Sequence, residues 1–415
     1  SVERRLRGDV PVVSYISGGL DSTVVLGLSS RQRGEAVPSF SIGLEGAGPD
    51  ERSAAEESAL ALGSRLTTIT MNRGDIAETF PELIVAAEGP VLDTSCACLL
   101  KLAETVSGQG YKVVLTGEGA DEALAGYVWF KTQKLRNAVG SSIGDWLPRL
   151  TRELAFALVG GGRERRPPQF AFQGTRPAQQ DMYELISQTK PVLFSRELRQ
   201  ELARHSPFDD LDLTNDRIRR WHPLNQSLYV GYKLMLAGLL MISKGDRIAM
   251  NSSVEARYPF LDDEVIRFCA ELDPSYKLRG WKEKWILREV AARTLPIQIA
   301  RRPKTMFRAS LSGTFLGAHR PHWVDQLLSP ESLARSGLFD PIAVARERSW
   351  QTWLPRVTPR RFVYDVGLTC VVSTQLWHHL FCGGGLCDLP AWSATRVTES
   401  DHHSGPAVYA ASSIS

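Results

Sequence analysis

The feature that most constrains this chain is a short stretch near its start, residues 12 to 22, with the sequence VVSYISGGLDS. Its first five residues are mostly β-branched or aromatic and predict a buried strand. Gly18 and Gly19 then allow the backbone to turn tightly, and the apolar positions from 24 to 28 continue as a helix. The stretch therefore predicts a strand, a glycine turn and the start of a helix.

A helix that begins in this way can hold an anion. Its first backbone N–H groups have no partner within the helix, and the helix dipole adds roughly half a positive charge. A phosphate group can therefore bind there without a basic side chain. The stretch lacks the G-x-x-x-x-G-K-[ST] pattern of P-loop NTPases, so a lysine must come from elsewhere. We expect pyrophosphate as the anion, with a glycine turn that holds no ligand as the alternative.

Residues 17 to 22 resemble the Ser-Gly-Gly-x-Asp-Ser signature of the N-type ATP pyrophosphatases, which cleave ATP between its α- and β-phosphates. This signature alone leaves several enzymes open, including argininosuccinate synthetase, GMP synthetase and the tRNA thiolation enzymes. The rest of the chain narrows the choice.

The order of the remaining elements predicts the fold class. Further strands are expected over residues 37–42, 66–71 and 112–116. A helix is expected over residues 50–63, where Asp50 can cap the start and Gly63 the end. Strands that alternate with helices predict an α/β fold, with a parallel sheet and helices on both faces. Ligands of such sheets lie at the carboxyl ends of the strands.

A second glycine-rich motif, Thr-Gly-Glu-Gly-Ala-Asp-Glu at residues 116–122, lies at such a strand end. Its carboxylates Glu118, Asp121 and Glu122 repel one another unless a cation lies among them. The motif therefore predicts a cation site close to the glycine turn, with an acidic solvated turn as the alternative.

Composition limits the class of protein. With 415 residues, 43% of them hydrophobic and 23% charged, the chain can bury a large core. The net charge of +3 gives no reason to expect a nucleic-acid partner. We find no signal peptide and no apolar run near 18 residues, so we expect no membrane partner and a cytoplasmic location. The six cysteines are expected to be reduced and mostly buried.

The second half of the chain is predicted to be largely helical. Residues 131–240 form an arginine-rich helical insertion with an exposed loop near residues 159–179. Its arginines could form a nucleic-acid patch, but their mixture with acids favours solvated helix faces. Residues 281–288 follow a helical pattern, residues 312–381 are again helical, and residues 393–415 are expected to form a flexible tail.

Taken together, these motifs resemble the synthetase half of the glutamine-hydrolysing asparagine synthetases, from about residue 6 to residue 381. The motifs in family order are DVP at 9–11, residues 39–43, GEGADE at 117–122, KGDR at 244–247, EARYPFLD at 255–262, KWILR at 284–288 and RPK at 302–304. The resemblance implies one domain over residues 1–392 with the PP-loop fold of the adenine nucleotide alpha hydrolases. Its parts would be a nucleotide-binding sheet (1–130), the insertion (131–240) and a catalytic continuation (241–392).

The resemblance also implies the ligands and their residues. ATP and Mg²⁺ are the implied cofactors, with Asp21 and Asp121 as metal ligands and Lys284 on the bridge between the α- and β-phosphates. Backbone groups framing adenine and ribose would belong to Ile16, Ile42, Thr116 and Gly117. The β,γ-pyrophosphate would be held by Ser17, Gly18, Gly19 and Ser22. Substrate-side or structural roles are expected for Asp246, Arg247, Glu255 and Arg257, the last two as an ion pair.

The implied enzyme is a carbon–nitrogen ligase that forms asparagine from aspartate through β-aspartyl-AMP, releasing AMP and pyrophosphate. Mg²⁺ and Lys284 would offset the repulsion between the attacking carboxylate and the phosphates. Glu118 is the candidate base that accepts a proton from ammonia. The related β-lactam synthetases carry a tyrosine at this position, so a glutamate favours ammonia as the nucleophile.

The nitrogen source and the acid are left open. Glutaminase domains of this family begin with a cysteine nucleophile, whereas this chain begins with Ser1 directly before the sheet. We expect the chain to be a fragment of a longer protein, or to use free ammonia or a separate glutaminase subunit; a homodimer is compatible with the family. Met306 and the insertion suggest, as an alternative, a natural-product amide synthetase acting on a larger acid. An inactive nucleotide-binding scaffold is a further alternative, which the intact Asp21, Asp121, Glu118 and Lys284 disfavour.

Overall fold

The structure is a computed structural model of the chain. It describes residues 1–46, 50–139, 177, 179, 190–203, 216–303, 307, 309, 311–317, 320–353 and 359–390. Nearly all of the expected loop at 159–179, the expected tail at 393–415, and the motif residues Lys304 and Met306 lie outside the described residues.

Five strands form one sheet in the order β3-β2-β1-β4-β5, and every pair of neighbours is parallel. The strands are β1 (Val12–Tyr15), β2 (Ser39–Leu44), β3 (Leu66–Met71), β4 (Val113–Leu115) and β5 (Glu255–Arg257). The register places Val13 of β1 opposite Val114 of β4. The predicted α/β fold with a parallel sheet and helices on both faces is confirmed.

Helices connect the strands and form most of the remaining chain. Those before β5 are Val2–Arg5, Leu20–Arg33, Arg52–Ala61, Arg73–Ala87, Cys96–Gly108, Ala120–Ala123, Val128–Val139, Arg196–Leu202, Asp216–Arg219, Pro223–Val230, the wide π-helix Gly231–Gly245, and Asp246–Asn251. Those after β5 are Asp263–Glu271, Pro274–Lys277, Trp285–Ala291, Ile297–Ala300, Leu311–Phe315, His322–Leu327, Pro330–Ser336, Pro341–Trp353 and Pro359–Phe381. Single 3-10 turns lie at Pro191–Leu193 and Pro259–Leu261. Within the described part of the chain, no helix combines the length and apolarity needed to cross a bilayer.

The central strand, β1, is buried on both faces. Its successive side chains point to opposite faces of the sheet, and helices cover both faces. Val12 packs in a cluster with Val24 of the helix Leu20–Arg33. Val13 packs on the opposite face with Val106 of the helix Cys96–Gly108. This arrangement explains why the strand appears in the sequence as a nearly continuous apolar run.

The C-terminal helices pack on one flank of the sheet. They form a large cluster with the helix Arg73–Ala87, in which Phe80 contacts Phe315 edge-to-face at a centroid distance of 4.7 Å. The hydroxyl of Ser373 accepts a hydrogen bond of 2.7 Å from the backbone N–H of Val91. The helical character predicted for residues 312–381 is confirmed where the structure describes them.

Several element boundaries differ from the sequence prediction, most clearly those of β2 and of the helix that follows it. The second strand was expected over residues 37–42, but it begins after Pro38, which cannot donate a ladder hydrogen bond. It also continues through Gly43, where a Cβ would overlap the side chain of Arg52. The following helix begins at Arg52, whose N–H donates to the carboxylate of Asp50 at 3.1 Å.

The prediction of a helix over residues 281–288 was wrong for its first half. A two-stranded antiparallel hairpin, β6 (Leu278–Arg279) and β7 (Lys282–Glu283), precedes the helix Trp285–Ala291. Lys284 lies between hairpin and helix with a left-handed backbone, at φ +53°. The edge strand β5 was also missed, because its three residues include two charged ones.

The N-terminal helix is held in place by Asp262, which supplies a first test of the fold. This carboxylate accepts hydrogen bonds from Arg4 (2.6 Å) and Arg5 (2.5 Å). It also caps the helix Asp263–Glu271 by accepting a hydrogen bond from the N–H of Glu264 (3.1 Å). Burial alone would raise the pKa of Asp262, but the hydrogen bond from Arg5 and the charges of both arginines outweigh it and lower this pKa.

We expect the Asp262→Ala change to lower the free energy of unfolding by about 1–2 kcal/mol at pH 7, because a cap and two ion pairs are lost. Since the folded-state pKa is lowered, the difference should be present at neutral pH and vanish as the pH falls well below about 4. Denaturant midpoints measured across this range test it. Asp263→Ala, at an exposed neighbour, is the matched control. A difference that persisted undiminished at low pH would contradict this assignment.

Candidate active site

A cavity of about 310 Å³ lies at the carboxyl ends of the central strands. Its size falls within the range of small-molecule sites, roughly 300–1,000 Å³. It brings together eleven of the residues predicted from the sequence: Ile16, Ser17, Gly19, Asp21, Ser22, Ile42, Thr116, Gly117, Glu118, Asp121 and Lys284.

The glycine turn between β1 and the helix Leu20–Arg33 is held in one conformation. Gly18 has φ +73°, and a Cβ there would overlap the backbone of Ala54, so only glycine fits. The N–H of Gly19 donates to Ser17 Oγ at 3.2 Å, and the N–H of Ser17 donates to Ser22 Oγ at 3.2 Å. The turn therefore presents the start of the helix to the cavity, as an anion site requires.

The ammonium of Lys284 lies between the two predicted metal ligands. Its Nζ is 2.5 Å from Asp21 Oδ2 and 2.6 Å from Asp121 Oδ1. The lysine side chain is 2% exposed, and those of the two aspartates are 15% and 14% exposed. The lysine reaches this position because its backbone N–H donates to the carbonyl of Leu124 at 3.1 Å.

Two glycines allow this close approach. A Cβ on Gly126 would overlap Asp121 Oδ1 and Lys284 Cε. A Cβ on Gly117 would lie 2.8 Å from the backbone nitrogen of Ser22. The second glycine motif is therefore needed as much for packing against the first as for its own backbone conformation.

The donor set at this point suits Mg²⁺. Two carboxylates converge on one cationic group, and Mg²⁺ commonly takes one or two protein carboxylates together with phosphate oxygens. Among the residues that the structure describes, no cluster of three or more His, Cys, Asp or Glu side chains could hold a metal by itself. The pair Asp21 and Asp121 thus fits a metal that arrives with a phosphate ligand.

The three carboxylates of the second motif do not all face the cavity. Glu118 and Asp121 line it, whereas Glu122 is fully buried beneath it and accepts a hydrogen bond of 2.7 Å from the hydroxyl of Tyr127. Burial, with the charge of Asp121, raises the pKa of Glu122 to about 7. The repulsion anticipated from the sequence is thus still present, and at Glu122 it acts together with burial to favour the protonated carboxyl group.

Lys244 is a cavity residue to which the sequence analysis assigned no role. Its Nζ pairs with Asp93 Oδ2 at 2.7 Å. Burial lowers the pKa of Lys244, but the charge of Asp93 more than reverses this and the net pKa is raised. The KGDR motif pointed to this region, but the partner Asp93 lies in a loop with no recognisable pattern.

Two arginines also border the cavity and are engaged by the protein. Arg302 donates to the carbonyls of Gly18 and Ala54 and pairs with Glu57 at 2.6 Å. Arg288 pairs with Glu283 at 2.6 Å. The sequence analysis placed both arginines in motifs but predicted none of these contacts.

The remaining predicted residues are not among the described residues that line the cavity. Arg247 donates to the carbonyl of Ala87 at 2.8 Å, at the end of the helix Arg73–Ala87, and Asp246 begins the helix that carries it. Arg257 pairs with Glu255 at 2.8 Å and also binds backbone carbonyls near the N-terminus.

Comparison with known proteins gives a family match over most of the chain. The model of the asparagine synthase family matches residues 1–379. This range includes both glycine motifs, the lysine and the helices that follow it.

Individual relatives carry two kinds of name. "Amidase chyE" of Penicillium rubens is 31% identical over 338 residues, covering 70% of this chain and 48% of the relative. "Amidase chry2" of Gibberella zeae is 29% identical over 333 residues, covering 70% and 48%. "Asparagine synthetase (glutamine-hydrolyzing) 1" of Bacillus subtilis is 27% identical over 312 residues, covering 74% and 48%. The chain thus spans about half the length of the curated relatives it matches.

Proposed function

The chain belongs to the asparagine synthase family, and from this we propose that it is an ATP-dependent ligase that converts a carboxylic acid to an amide. The observation that carries the proposal is the convergence of Asp21, Asp121 and Lys284 beside the glycine turn. A strand-end anion site, two acids and one ammonium can together bind a nucleotide with its metal and neutralise the charge that develops during cleavage at its α-phosphate.

In this proposal the glycine turn, with Ser17, Gly18, Gly19 and Ser22, binds the β,γ-pyrophosphate of ATP. The backbone around Ile16, Ile42, Thr116 and Gly117 would frame the adenosine. Asp21 and Asp121 would hold Mg²⁺, which supplies charge neutralisation on the phosphates when bound. Lys284 would then pass from the two carboxylates to the bridging oxygen between the α- and β-phosphates.

The first step forms a mixed anhydride. A carboxylate oxygen of the acid attacks the α-phosphorus, the bond from that phosphorus to the bridging oxygen breaks, and pyrophosphate leaves. Lys284 stabilises the negative charge that develops on the leaving oxygen. In the second step ammonia attacks the acyl carbon and AMP leaves with the electron pair of the acyl–oxygen bond. Glu118 accepts the proton that the attacking nitrogen loses.

The acid is proposed in two forms. Aspartate, giving asparagine through β-aspartyl-AMP, is the first candidate, and the relative named asparagine synthetase supports it. A larger acid is the second candidate, because two relatives at 29–31% identity are named amidases and not asparagine synthetases. Nitrogen would come from ammonia, or from glutamine through a glutaminase domain or subunit outside the described residues.

The reaction type is tested by its products. Purified protein incubated with ATP, Mg²⁺, ammonium and a panel of carboxylic acids that includes aspartate should release AMP and pyrophosphate in equal amounts, with one acid required. Release of ADP and phosphate would contradict the proposal, because it would place bond cleavage at the wrong phosphorus.

The proposed base gives a more selective test. Glu118→Gln should reduce amide formation by about 10²- to 10⁴-fold, the typical benefit of a general base. In a single turnover, the acid-dependent burst of pyrophosphate should fall much less, because the first step does not use this carboxylate. Glu271→Gln, at an exposed helix position, is the control. Equal losses in both steps would remove Glu118 from the role of base.

Gly126 offers a test of the packing that positions the lysine. Gly126→Ala should lower the rate of pyrophosphate release by at least about 100-fold, because the added methyl group must displace Asp121 and Lys284 and a shift near 1 Å has effects of that size. Gly108→Ala is the control, since a Cβ there meets no atom within 4 Å. Retained activity in Gly126→Ala would show that this close packing is not required.

A further inference from the structure

One peptide group of the glycine turn has no side chain of its own to fix its orientation. It joins Gly18 to Gly19, so neither residue has a Cβ that would restrict its rotation. In a trans peptide the C=O and N–H groups point in opposite directions. The group can therefore present either an acceptor or a donor to the cavity, and only the donor favours an anion.

In the structure, the N–H side of this peptide is turned toward the cavity. The N–H of Gly19 donates to Ser17 Oγ at 3.2 Å, and Ser17 Oγ lies 3.2 Å from Ser22 Oγ. All three residues line the cavity. A pyrophosphate bound at the turn would therefore meet one N–H and two hydroxyl groups, while the carbonyl oxygen of Gly18 points the other way.

The carbonyl of Gly18 is held by Arg302, which lies 284 positions further along the chain. Arg302 Nη1 donates to that carbonyl. The same nitrogen donates to the carbonyl of Ala54 at 3.1 Å and to the hydroxyl of Ser58 at 3.0 Å. Nη2 pairs with Glu57 at 2.6 Å. The last three partners belong to the helix that follows β2, so the guanidinium is fixed to this helix on one side and to the glycine turn on the other.

We propose, resting on the pyrophosphate site proposed above, that Arg302 is a positioning residue that orients the peptide between Gly18 and Gly19 for anion binding. The guanidinium attracts the carbonyl oxygen, so the N–H of Gly19 already faces the cavity before the nucleotide arrives. Without it, the carbonyl is free to turn toward the phosphates, and reorienting the peptide costs part of the binding free energy. Arg302 thus acts through the backbone and need not contact a phosphate.

The first experiment measures the binding of ATP, pyrophosphate and AMP by calorimetry in the presence of Mg²⁺. Arg302→Met should raise Kd for ATP and for pyrophosphate by about 10- to 100-fold, because the anion loses about one hydrogen bond to a charged group. Kd for AMP should stay nearly unchanged, since AMP lacks the two outer phosphates. Arg301→Met, at an exposed neighbour, is the control and should bind all three ligands normally.

Two results of this experiment overturn the inference. The first is an unchanged Kd for ATP and pyrophosphate in Arg302→Met. The second is an equal loss of affinity for AMP, which would assign Arg302 a general structural role.

Two further variants distinguish positioning from direct contact with a phosphate. Arg302→Lys keeps the charge, but a single ammonium lacks the planar fork that reaches the turn and the helix together, so ATP binding should stay weak. Glu57→Gln loosens the guanidinium and should weaken ATP binding by about two- to fivefold. Glu56→Gln, at an exposed position of the same helix, is the control. Normal binding in Arg302→Lys, or tighter binding in Glu57→Gln, overturns the inference.

Kinetics separates this inference from the ligase proposal. Arg302→Met should raise KM for ATP while kcat at saturating ATP stays nearly unchanged, the pattern of an interaction made equally in the ground and transition states. A loss in kcat without a change in KM overturns the inference. If the unchanged protein binds ATP but releases no pyrophosphate with any acid, the ligase function is contradicted, and the Kd comparison still decides the role of Arg302. Absence of both ATP and pyrophosphate binding overturns both proposals.

Discussion

Replacing Lys284 by methionine is expected to lower the rate of acid-dependent pyrophosphate release by about a thousandfold. Methionine keeps the length and apolar stem of the side chain but removes the ammonium, so the charge that develops on the leaving pyrophosphate loses its nearest protein cation. Loss of one pre-positioned donor typically reduces the rate by about 10²- to 10³-fold, and a full charge in a site of low exposure acts at the upper end of this range. The rate is measured by coupled pyrophosphate detection at saturating ATP.

The same change should alter stability in a way that depends on Mg²⁺. Without the ammonium, Asp21 and Asp121 face each other in a largely buried position, and their repulsion should lower the denaturation midpoint in the absence of the metal. Mg²⁺ with ATP should restore much of the loss. Lys284→Arg should not recover the rate, because the larger planar guanidinium replaces a compact ammonium held between two acids.

Lys282→Met is the matched control for this prediction. Lys282 lies two positions earlier in β7 and is exposed, so its replacement removes the same charge from the same hairpin. It should leave the pyrophosphate rate within about twofold, as surface changes generally do. A Lys284→Met variant as active as Lys282→Met would end the assignment of Lys284 to the phosphate bridge.

The second large effect concerns the two acids. Asp121→Asn and Asp21→Asn each keep the shape of the side chain and remove one negative charge. We expect each to reduce kcat by about 10²- to 10³-fold at the Mg²⁺ concentration that saturates the unchanged protein, because a hard cation prefers carboxylate oxygens. The Mg²⁺ concentration for half-maximal rate should rise.

The Mg²⁺ titration distinguishes a metal ligand from a residue that only positions Lys284. If the aspartates only orient the lysine, kcat falls while the Mg²⁺ requirement stays unchanged. Asp263→Asn, at an exposed helix start outside the cavity, should change neither quantity. An unchanged Mg²⁺ requirement in both site variants would exclude Asp21 and Asp121 as the metal ligands.

Much of the fold followed from the sequence because its signals are local. The strand, glycine turn and helix at residues 12–33 are defined by neighbouring residues, and β3 was expected over the residues where it lies. The edge strand β5 and the two hairpin strands were missed for the same reason. β5 and β7 are two or three residues long and carry charges, so their positions depend on the strand or turn beside them rather than on their own pattern.

The sequence by itself determined the glycine turn, the parallel sheet and the types of residue available for chemistry. The family resemblance implied that Asp21, Asp121 and Lys284 share one nucleotide, and only the tertiary structure showed how these residues meet and which other side chains pair around them. Lys284 lies 263 positions along the chain from Asp21, and it reaches the acids through a left-handed residue between a hairpin and a helix. Likewise, Glu122 turns inward beside Asp121, and Lys244 is neutralised by Asp93 from a distant loop. These outcomes depend on packing and burial, which act through space between segments that local sequence patterns cannot relate.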